Sequence, residues 1–142
     1  MRVFVSYRHT GAEAKTIRPL LETVKRALED KGVEIHNTFF DVRQGDFVQS
    51  ELGPAGFMHE AFGMMERSDF LLVLQNSEER SEGMLMEVGY ALAKKMPVLV
   101  AVQDEVKNTY LPDMAELVVK WRDTVDLAVQ LGKVDFERLV RG

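Results

Sequence analysis

One glutamate stands out in an otherwise apolar, glycine-containing segment of the chain. Residues 81–102 have the sequence Ser-Glu-Gly-Met-Leu-Met-Glu-Val-Gly-Tyr-Ala-Leu-Ala-Lys-Lys-Met-Pro-Val-Leu-Val-Ala-Val, in which the second acidic residue is Glu87. A helix that packs on a sheet has no structural need for a carboxylate two turns from its start. A carboxylate that is half-buried beside Met84, Met86 and Tyr90 has a raised pKa or acts as a nucleophile. Glu87 is therefore the first candidate catalytic residue.

Structural explanations for the same residue remain open. Glu87 could face solvent, or it could form an ion pair with Lys94 or Arg8, because structural ion pairs also place charges near clefts. Gly89, two residues later, costs a helix about 1 kcal/mol relative to alanine. We expect close packing of the helix on a strand to be the reason for this glycine. The methionines around Glu87 are expected to fill the core, and stacking on a substrate is the alternative.

Three polar segments follow predicted strands and could form one pocket with Glu87. They are residues 6–11 (Ser-Tyr-Arg-His-Thr-Gly), 36–41 (His-Asn-Thr-Phe-Phe-Asp) and 75–87. Ligands of open α/β sheets bind at the carboxyl ends of the strands, so these segments are expected to lie together. Ser81 could cap the following helix or donate its hydroxyl to a ligand at the helix N-terminus. Arg8 and Thr10 could supply further hydrogen bonds to an oxyanion or a phosphate.

Tyr7 and the histidines allow two interpretations each. Tyr7 either forms an amphipathic pocket wall or aims its hydroxyl at the catalytic carboxylate. His9 and His36 are expected to be loop histidines with satisfied nitrogens, and a catalytic role is the alternative. His59 is expected to lie on the surface of a helix.

The scaffold that positions these residues is predicted from apolar periodicity. Near-continuous apolar runs predict strands at residues 2–6, 33–35, 69–74, 98–102 and 117–121. Four helices are predicted: one from a possible N-cap at Thr16 up to Gly32, one at 54–67, one at 81–95, and one at 123–140 that is interrupted near Gly132. Residues 45–56 are expected to form a long connection, and residues 111–116 a helical turn. Strands that alternate with helices predict an α/β fold, a doubly wound five-stranded parallel sheet with helices on both faces, flavodoxin-like or Rossmann-like.

Composition narrows the function classes. The 142 residues fit one domain, 1–142, and the net charge of −5 gives no reason to bind nucleic acid or an anionic membrane surface. The chain has no cysteine, no signal-peptide pattern and no run long enough to span a membrane, which favours a cytoplasmic protein. Scattered histidines argue against a zinc site. No P-loop, GxGxxG, GxSxG or HExxH motif occurs, and no cofactor is expected.

The pattern Ser81-x-Gly-x-x-x-Glu87-Val-Gly-Tyr-Ala, followed by Lys-Met-Pro-Val-Leu-Val at 95–100, resembles the nucleoside 2-deoxyribosyltransferase family, and in particular its nucleoside 5′-monophosphate N-glycosidase branch. The resemblance implies that Glu87 attacks the anomeric carbon of a nucleoside or (deoxy)nucleoside 5′-monophosphate, forming a glycosyl-enzyme that water or a second base resolves. It implies that Tyr7 assists, and that a serine at position 81 faces a phosphate. The residues expected around the substrate are Ser6, Arg8, His9, Thr10, Gly11, Asn37, Asn76, Ser81, Gly83 and Met114.

The resemblance also implies a homodimer with shared active sites, in which residues 109–114 complete the neighbour's site. Two positions depart from the family pattern. The second acid of the family, which activates the leaving base, falls at Ala61. The adjacent Glu60 is the candidate catalytic residue that could replace it after a shift of one residue, although helical geometry would rotate it by about 100°. Pro112 stands where a polar contact to the sugar or phosphate is usual.

A second resemblance competes with the first. The segments Val-Phe-Val-Ser-Tyr-Arg-His-Thr-Gly at 3–11 and Phe-Asp-Val-Arg-Gln-Gly-Asp at 40–46 are similar to TIR domains. Some TIR domains cleave the nicotinamide glycosidic bond of NAD with a similarly placed glutamate, so Glu87 would again be catalytic. A third possibility is a non-catalytic nucleotide-sensing or protein-interaction module that kept the fold. The base, the sugar, and the choice between hydrolysis and transfer stay open.

Overall fold

The computed structural model describes residues 1–8, 14–37 and 46–142, which form one parallel sheet flanked by helices. The strands are β1 (Arg2–Tyr7), β2 (Glu34–His36), β3 (Phe70–Gln75), β4 (Val98–Gln103) and β5 (Leu117–Trp121). The helices are α1 (Ala14–Glu29), α2 (Asp46–Glu66), α3 (Glu82–Ala93), α4 (Thr124–Gly132) and α5 (Phe136–Arg141), and a 3-10 helix covers Leu111–Met114. All pairings are parallel, in the order β2-β1-β3-β4-β5. The predicted doubly wound α/β fold is confirmed.

Apolar side chains cover both faces of the sheet, because successive strand residues point to opposite sides. On one side, called the α1 face here, Val3 and Val5 pack with residues of α1, α4 and α5. On the other side, called the α3 face, Phe4 and Val73 pack with residues of α2 and α3. Burial on both faces explains why the central strands are near-continuous apolar runs and why they could be predicted from the sequence.

Two expectations about helix boundaries are wrong. Helix α1 begins at Ala14, so Thr16 lies inside it and is not its N-cap. Residues 46–52 are helical and not part of a long connection. The pattern was misleading because Gly53, with φ 66° and ψ 178°, interrupts α2, and Pro54 then starts its second part, which begins where the helix was predicted.

The strand order creates a crevice at the carboxyl ends of β1 and β3. These strands are neighbours, although the chain leaves β1 towards the α1 face and enters β3 from the α3 face. Ligands of doubly wound sheets bind at such a switch point. Within the described ranges, no helix combines the length and the apolar character needed to cross a bilayer.

Candidate active site

Helix α3 holds Glu87 against the sheet. Ser81 caps the helix, its hydroxyl accepting a hydrogen bond from the Met84 N–H at 3.2 Å, as predicted for an N-cap. The buried residues of α3 are Met84, Glu87, Val88 and Ala91, whose spacing of three, four and seven residues marks one helical stripe. Glu87 belongs to this stripe, so the packing that buries the helix also buries the carboxylate, which is 7% exposed.

Ser6 is the hydrogen-bond partner of this carboxylate. Its Oγ donates to Glu87 Oε1 at 2.6 Å, and Ser6 itself is 1% exposed. Strand alternation places Ser6 on the α3 face, two residues beyond Phe4 and beside Val73 of β3. A hydrogen bond this short from a hydroxyl is typical of an ionised acceptor. Strand β1 and helix α3, far apart in sequence, thus meet in one buried pair.

The environment of Glu87 moves the pKa of its carboxyl group into the neutral range. Burial raises the pKa of Glu87 from its ordinary value of 4.5 to about 7, and the Ser6 hydrogen bond opposes part of that rise. The structural explanations for Glu87 do not hold, since the side chain does not face solvent. Lys94 pairs with Glu66 at 3.8 Å, and Arg8 pairs with Glu79 at 3.0 Å. A carboxylate of this kind can serve as a nucleophile or exchange a proton at neutral pH.

Tyr7 and Asn37 have surroundings that differ from those of Ser6. The Tyr7 side chain is buried in the cluster of the α1 face, on the side of the sheet opposite to Glu87. Asn37 is fully buried, and its Nδ2 donates to the carbonyl of Val5 at 3.1 Å. The amide thereby ties the end of β2 to β1. Among these strand-end residues, Ser6 supplies the group that contacts the carboxylate.

The other predicted site residues differ in burial and in their position relative to α3. Ser81 is buried, Gly83 lies in the first turn of α3, Asn76 follows β3, and Arg8 is largely buried beside the exposed Glu79. Met114 lies on the 3-10 helix and is 46% exposed. His9, Thr10 and Gly11 fall outside the described residues. His36 lies 3.5 Å from Glu34, and His59 is exposed on α2, as expected.

At positions 60 and 61 of α2, where a second acid was expected, no carboxylate is buried in the cluster of the α3 face. Ala61 is fully buried in the cluster of the α3 face, while the neighbouring Glu60 is on the exposed side of α2. This is the rotation of about 100° between successive helical residues. Among the described residues, no group of three histidine, aspartate or glutamate side chains could hold a metal ion.

Gln75 is a polar site residue that the sequence analysis did not single out. It ends β3, is 8% exposed, and donates from Nε2 to Thr109 Oγ1 at 3.1 Å. Thr109 Oγ1 also accepts from the Leu111 N–H at 3.2 Å. A small cavity of about 30 Å³ separates this group from Ser81. In the sequence, Gln75 could have been recognised as a polar residue directly after a predicted apolar strand. Its hydrogen-bond partner, Thr109, lies 34 residues away and could not be predicted from that pattern.

Two expectations about residues on the outer side of α3 are wrong. Gly89 is exposed, and a Cβ built there would have no described atom within 4 Å, so close packing on a strand is not its reason. Met86 was expected in the core but is 50% exposed. Both positions lie on the helix face that points away from the sheet.

Glu87→Gln is expected to stabilise the fold at alkaline pH. Because the pKa of Glu87 is raised in the folded state to about 7, its stabilising contribution is complete below about pH 4.5 and is lost as pH rises through about 7. The size of this shift corresponds to about 3 kcal/mol. We expect Glu87→Gln to exceed wild type in unfolding free energy at about pH 8 and to match it near pH 4. Denaturant melts at both pH values measure this.

The matched control for this experiment is Glu105→Gln, an exposed position after β4. Its effect should stay within about 0.5 kcal/mol at both pH values. A Glu87→Gln effect that does not change with pH would show that the carboxyl does not titrate as a buried group.

Solved structures with this fold include two enzymes that act on nucleosides or nucleotides. A CMP N-glycosidase of Clostridium botulinum aligns over 92% of this chain and 97% of its own, with 18% identity and a TM-score of 0.61. A 2-deoxyribosyltransferase of Bacillus psychrosaccharolyticus aligns over 98% and 96%, with 14% identity and a TM-score of 0.66. The SEFIR domain of IL-17 receptor B also aligns, over 94% and 95%, with 13% identity and a TM-score of 0.54. At these identities the likeness shows the fold.

The sequence itself identifies the family. None of the curated protein sequences is significantly similar to this chain. The sequence profile of the nucleoside 2-deoxyribosyltransferases, however, matches residues 13–126, most of the chain, including α3 and Glu87. The resemblance stated from the motif around Glu87 is thereby confirmed, and the chain belongs to the nucleoside 2-deoxyribosyltransferase family.

Proposed function

We propose that this protein cleaves or transfers the N-glycosidic bond of a nucleoside or a (deoxy)nucleoside 5′-monophosphate. The observation that carries the proposal is the buried Glu87 carboxylate, held by the Ser6 hydroxyl at the switch point of the sheet. Family membership supports an enzyme of this general kind. The nucleophilic role of Glu87 and the phosphorylated substrate are the parts that we infer.

In the proposed reaction, a Glu87 carboxylate oxygen attacks the anomeric carbon of the sugar. The new bond between carbon and oxygen forms as the bond to the base nitrogen breaks, and the electron pair leaves with the base. Water or a second base then attacks the same carbon and releases Glu87. Ser6 donates to one carboxylate oxygen and so fixes the direction in which the other one points.

The start of α3 is suited to bind the 5′ end of the substrate. Ser81 Oγ accepts a hydrogen bond from the Met84 N–H, and a hydroxyl that accepts can still donate its own proton to a phosphate oxygen. Gly83 and the helix N-terminus add backbone N–H groups. Arg8 pairs with Glu79, whose own side chain is 75% exposed and can turn to solvent. A phosphate could therefore take the place of the Glu79 carboxylate beside Arg8.

Other predicted site residues keep their assignments as parts of the proposal. We assign Asn37 and Asn76 to the pocket wall, and His9, Thr10 and Gly11 to the phosphate loop. Tyr7, which was predicted to assist Glu87, is the exception: it is buried in the cluster of the α1 face, so we assign it to the support of β1 and not to a contact with the carboxylate. No cofactor is required for this chemistry, and a cytoplasmic location suits a cysteine-free enzyme of nucleotide metabolism.

One observation favours a second candidate function. Ala61, buried at the position where the resemblance implies an acid, has no proton to give, and Glu60 is exposed on α2. A module that binds nucleotides without cleaving them would need no such acid. A TIR-like NADase is the remaining alternative, and the likeness to a SEFIR domain supports its fold alone.

We further propose a homodimer that forms through the outer side of α3 and the 3-10 helix. The exposed apolar side chains there are Met86 (50%), Leu92 (38%), Tyr110 (58%) and Met114 (46%). Gly89 lies on the same side of α3 and leaves open space, which lets a second backbone approach closely. A second copy at this surface would bring Met114 towards the neighbouring active site, as the family resemblance implies.

Glu87→Gln is expected to abolish release of free base by this enzyme. An amide cannot supply the anionic nucleophile, so turnover should fall by at least about a thousandfold. The measurement is chromatography of free base from ribonucleosides, deoxyribonucleosides, their 5′-monophosphates and NAD, each incubated with wild type and variant. Glu82→Gln, five residues earlier at an exposed position of α3, is the control and should retain activity.

The outcomes of this assay separate the three candidate functions. Base released from a nucleoside or monophosphate by wild type only supports the proposal, and nicotinamide released from NAD supports the TIR-like alternative. Binding without release, seen as a higher melting temperature with ligand, supports the non-catalytic module. Full turnover by Glu87→Gln would refute the nucleophile assignment.

Ser6→Ala is expected to shift the acidic limb of the pH–rate profile to higher pH. Loss of the hydroxyl removes the hydrogen bond that lowers the pKa of Glu87, so this pKa should rise further above 7. At neutral pH the rate should fall about ten- to a hundredfold and recover in part at alkaline pH. Ser68→Ala, which loses only a hydrogen bond to the Met64 carbonyl, is the control. An equal loss at every pH would mean that Ser6 positions Glu87 without tuning its pKa.

Met86→Glu is expected to disrupt the homodimer. A charge at the centre of the apolar side of α3 would be desolvated on association, which costs several kcal/mol. Light scattering after gel filtration should show half the particle mass of wild type. Val129→Glu, at an exposed apolar residue of α4, is the control and should leave the mass unchanged. An unchanged mass for Met86→Glu would place the dimer contact elsewhere.

A further inference from the structure

An ion pair joins the segments that follow β1 and β3. Arg8 comes directly after β1, and Glu79 lies in the segment between β3 and α3. The Arg8 Nη1 and Glu79 Oε2 atoms are 3.0 Å apart. The two side chains differ in burial, since that of Arg8 is 16% exposed and that of Glu79 is 75% exposed. The cation is therefore the enclosed member of the pair, and the acid is the member that solvent reaches.

The backbone that carries Glu79 is held by other contacts than this ion pair. The Glu79 N–H donates to Ser77 Oγ at 3.1 Å, and the neighbouring Glu78 Oε1 accepts from the Lys107 N–H at 2.9 Å. The contact with Arg8 is made by the side chain of Glu79 alone. Rotation about the side-chain bonds of Glu79 can thus release Arg8, and the segment before α3 need not rearrange.

The ion pair lies beside the start of α3. Glu79 and Ser81 line the same small cavity, and Ser81 is the N-cap of the helix. In the proposed function, Arg8 and Ser81 bind the 5′-phosphate of the substrate. A carboxylate and a phosphate both offer oxygen acceptors that match the guanidinium group of an arginine. The Glu79 carboxylate therefore has the charge and the acceptor geometry of the group that Arg8 is proposed to bind.

We propose that Glu79 is an internal substitute for the 5′-phosphate and sets how strongly the enzyme prefers a monophosphate to the free nucleoside. This inference rests on the proposed function, because that function assigns Arg8 to the 5′ end of the substrate. A monophosphate displaces the Glu79 carboxylate from Arg8, and the Glu79 side chain turns to solvent. A free nucleoside leaves the ion pair between Arg8 and Glu79 in place.

The charges of the two possible 5′ ends explain this difference. A phosphate monoester carries about −1.5 to −2 charges at neutral pH, so it competes with the single charge of Glu79 for the guanidinium group and repels the carboxylate. A 5′-hydroxyl is neutral and cannot compensate the charge of Arg8, so the carboxylate stays. Binding of a monophosphate thus costs the ion pair, and binding of a nucleoside does not. Glu79 thereby narrows the difference in affinity between the two substrates.

Glu79→Gln is expected to tighten the binding of phosphate compounds. The amide has the shape of the acid but no charge, so it competes less well for Arg8. The dissociation constants of inorganic phosphate and of ribose 5-phosphate should fall about three- to tenfold, as measured by titration calorimetry, which needs no turnover. In the base-release assay, KM for a cleaved monophosphate should fall by the same factor, and KM for the matching nucleoside should stay within about twofold.

Two further variants separate competition at Arg8 from a general effect of charge. Glu82→Gln removes the same charge from an exposed position in the first turn of α3, and at physiological salt it should change phosphate affinity by less than about twofold. In an Arg8→Gln background, Glu79→Gln should have no effect, because the cation for which the two anions compete is gone. Thermal melts verify that every variant is folded.

The outcomes bear separately on this inference and on the proposed function. The inference is overturned by phosphate affinity that is unchanged or weaker in Glu79→Gln, by an equal gain in Glu82→Gln, or by a gain that persists without Arg8. Base release by wild type would in each of these cases leave the proposed function in place. If no substrate releases base, the proposed function fails, and a calorimetric gain that depends on Arg8 would still support the role of Glu79.

Discussion

The burial of one carboxylate against the sheet is the constraint on which the site depends. An unpaired charge in an apolar environment is costly, and among the described residues the hydrogen-bond partner of Glu87 is the Ser6 hydroxyl. The fold tolerates this because the remaining residues of the α3 stripe and the strands beneath are apolar and well packed. The protein thereby keeps a group that destabilises it at alkaline pH, which is common where a residue is retained for chemistry.

The parallel sheet determines which side chains can approach that carboxylate. Ser6 and Tyr7 are neighbours in sequence, yet alternation along β1 directs them to opposite faces, and only Ser6 meets α3. The same geometry brings Gln75, at the end of β3, close to Thr109 in the segment before the 3-10 helix. The candidate site thus rests on strand ends, which are rigid, and on a helix start that is capped by Ser81.

The surface that we propose for the homodimer is apolar in character. The outer side of α3 offers exposed apolar side chains and a glycine, so association there would be driven by burial of apolar area.

The sequence by itself determined the fold class, the family, and the identity of the central residue. Five buried strands were visible because burial on both faces makes them near-continuous apolar runs, and Glu87 was visible because it interrupts an apolar helical stripe. Local sequence patterns did not predict the first part of α2, because the non-helical backbone at Gly53 interrupts the helical periodicity of the apolar residues. Only the tertiary structure decided that Ser6 is the partner of Glu87, that Gly89 and Met86 face outward, and that Glu60 points away. These features depend on contacts between residues tens of positions apart and on which helix face meets the sheet, and a sequence pattern states neither.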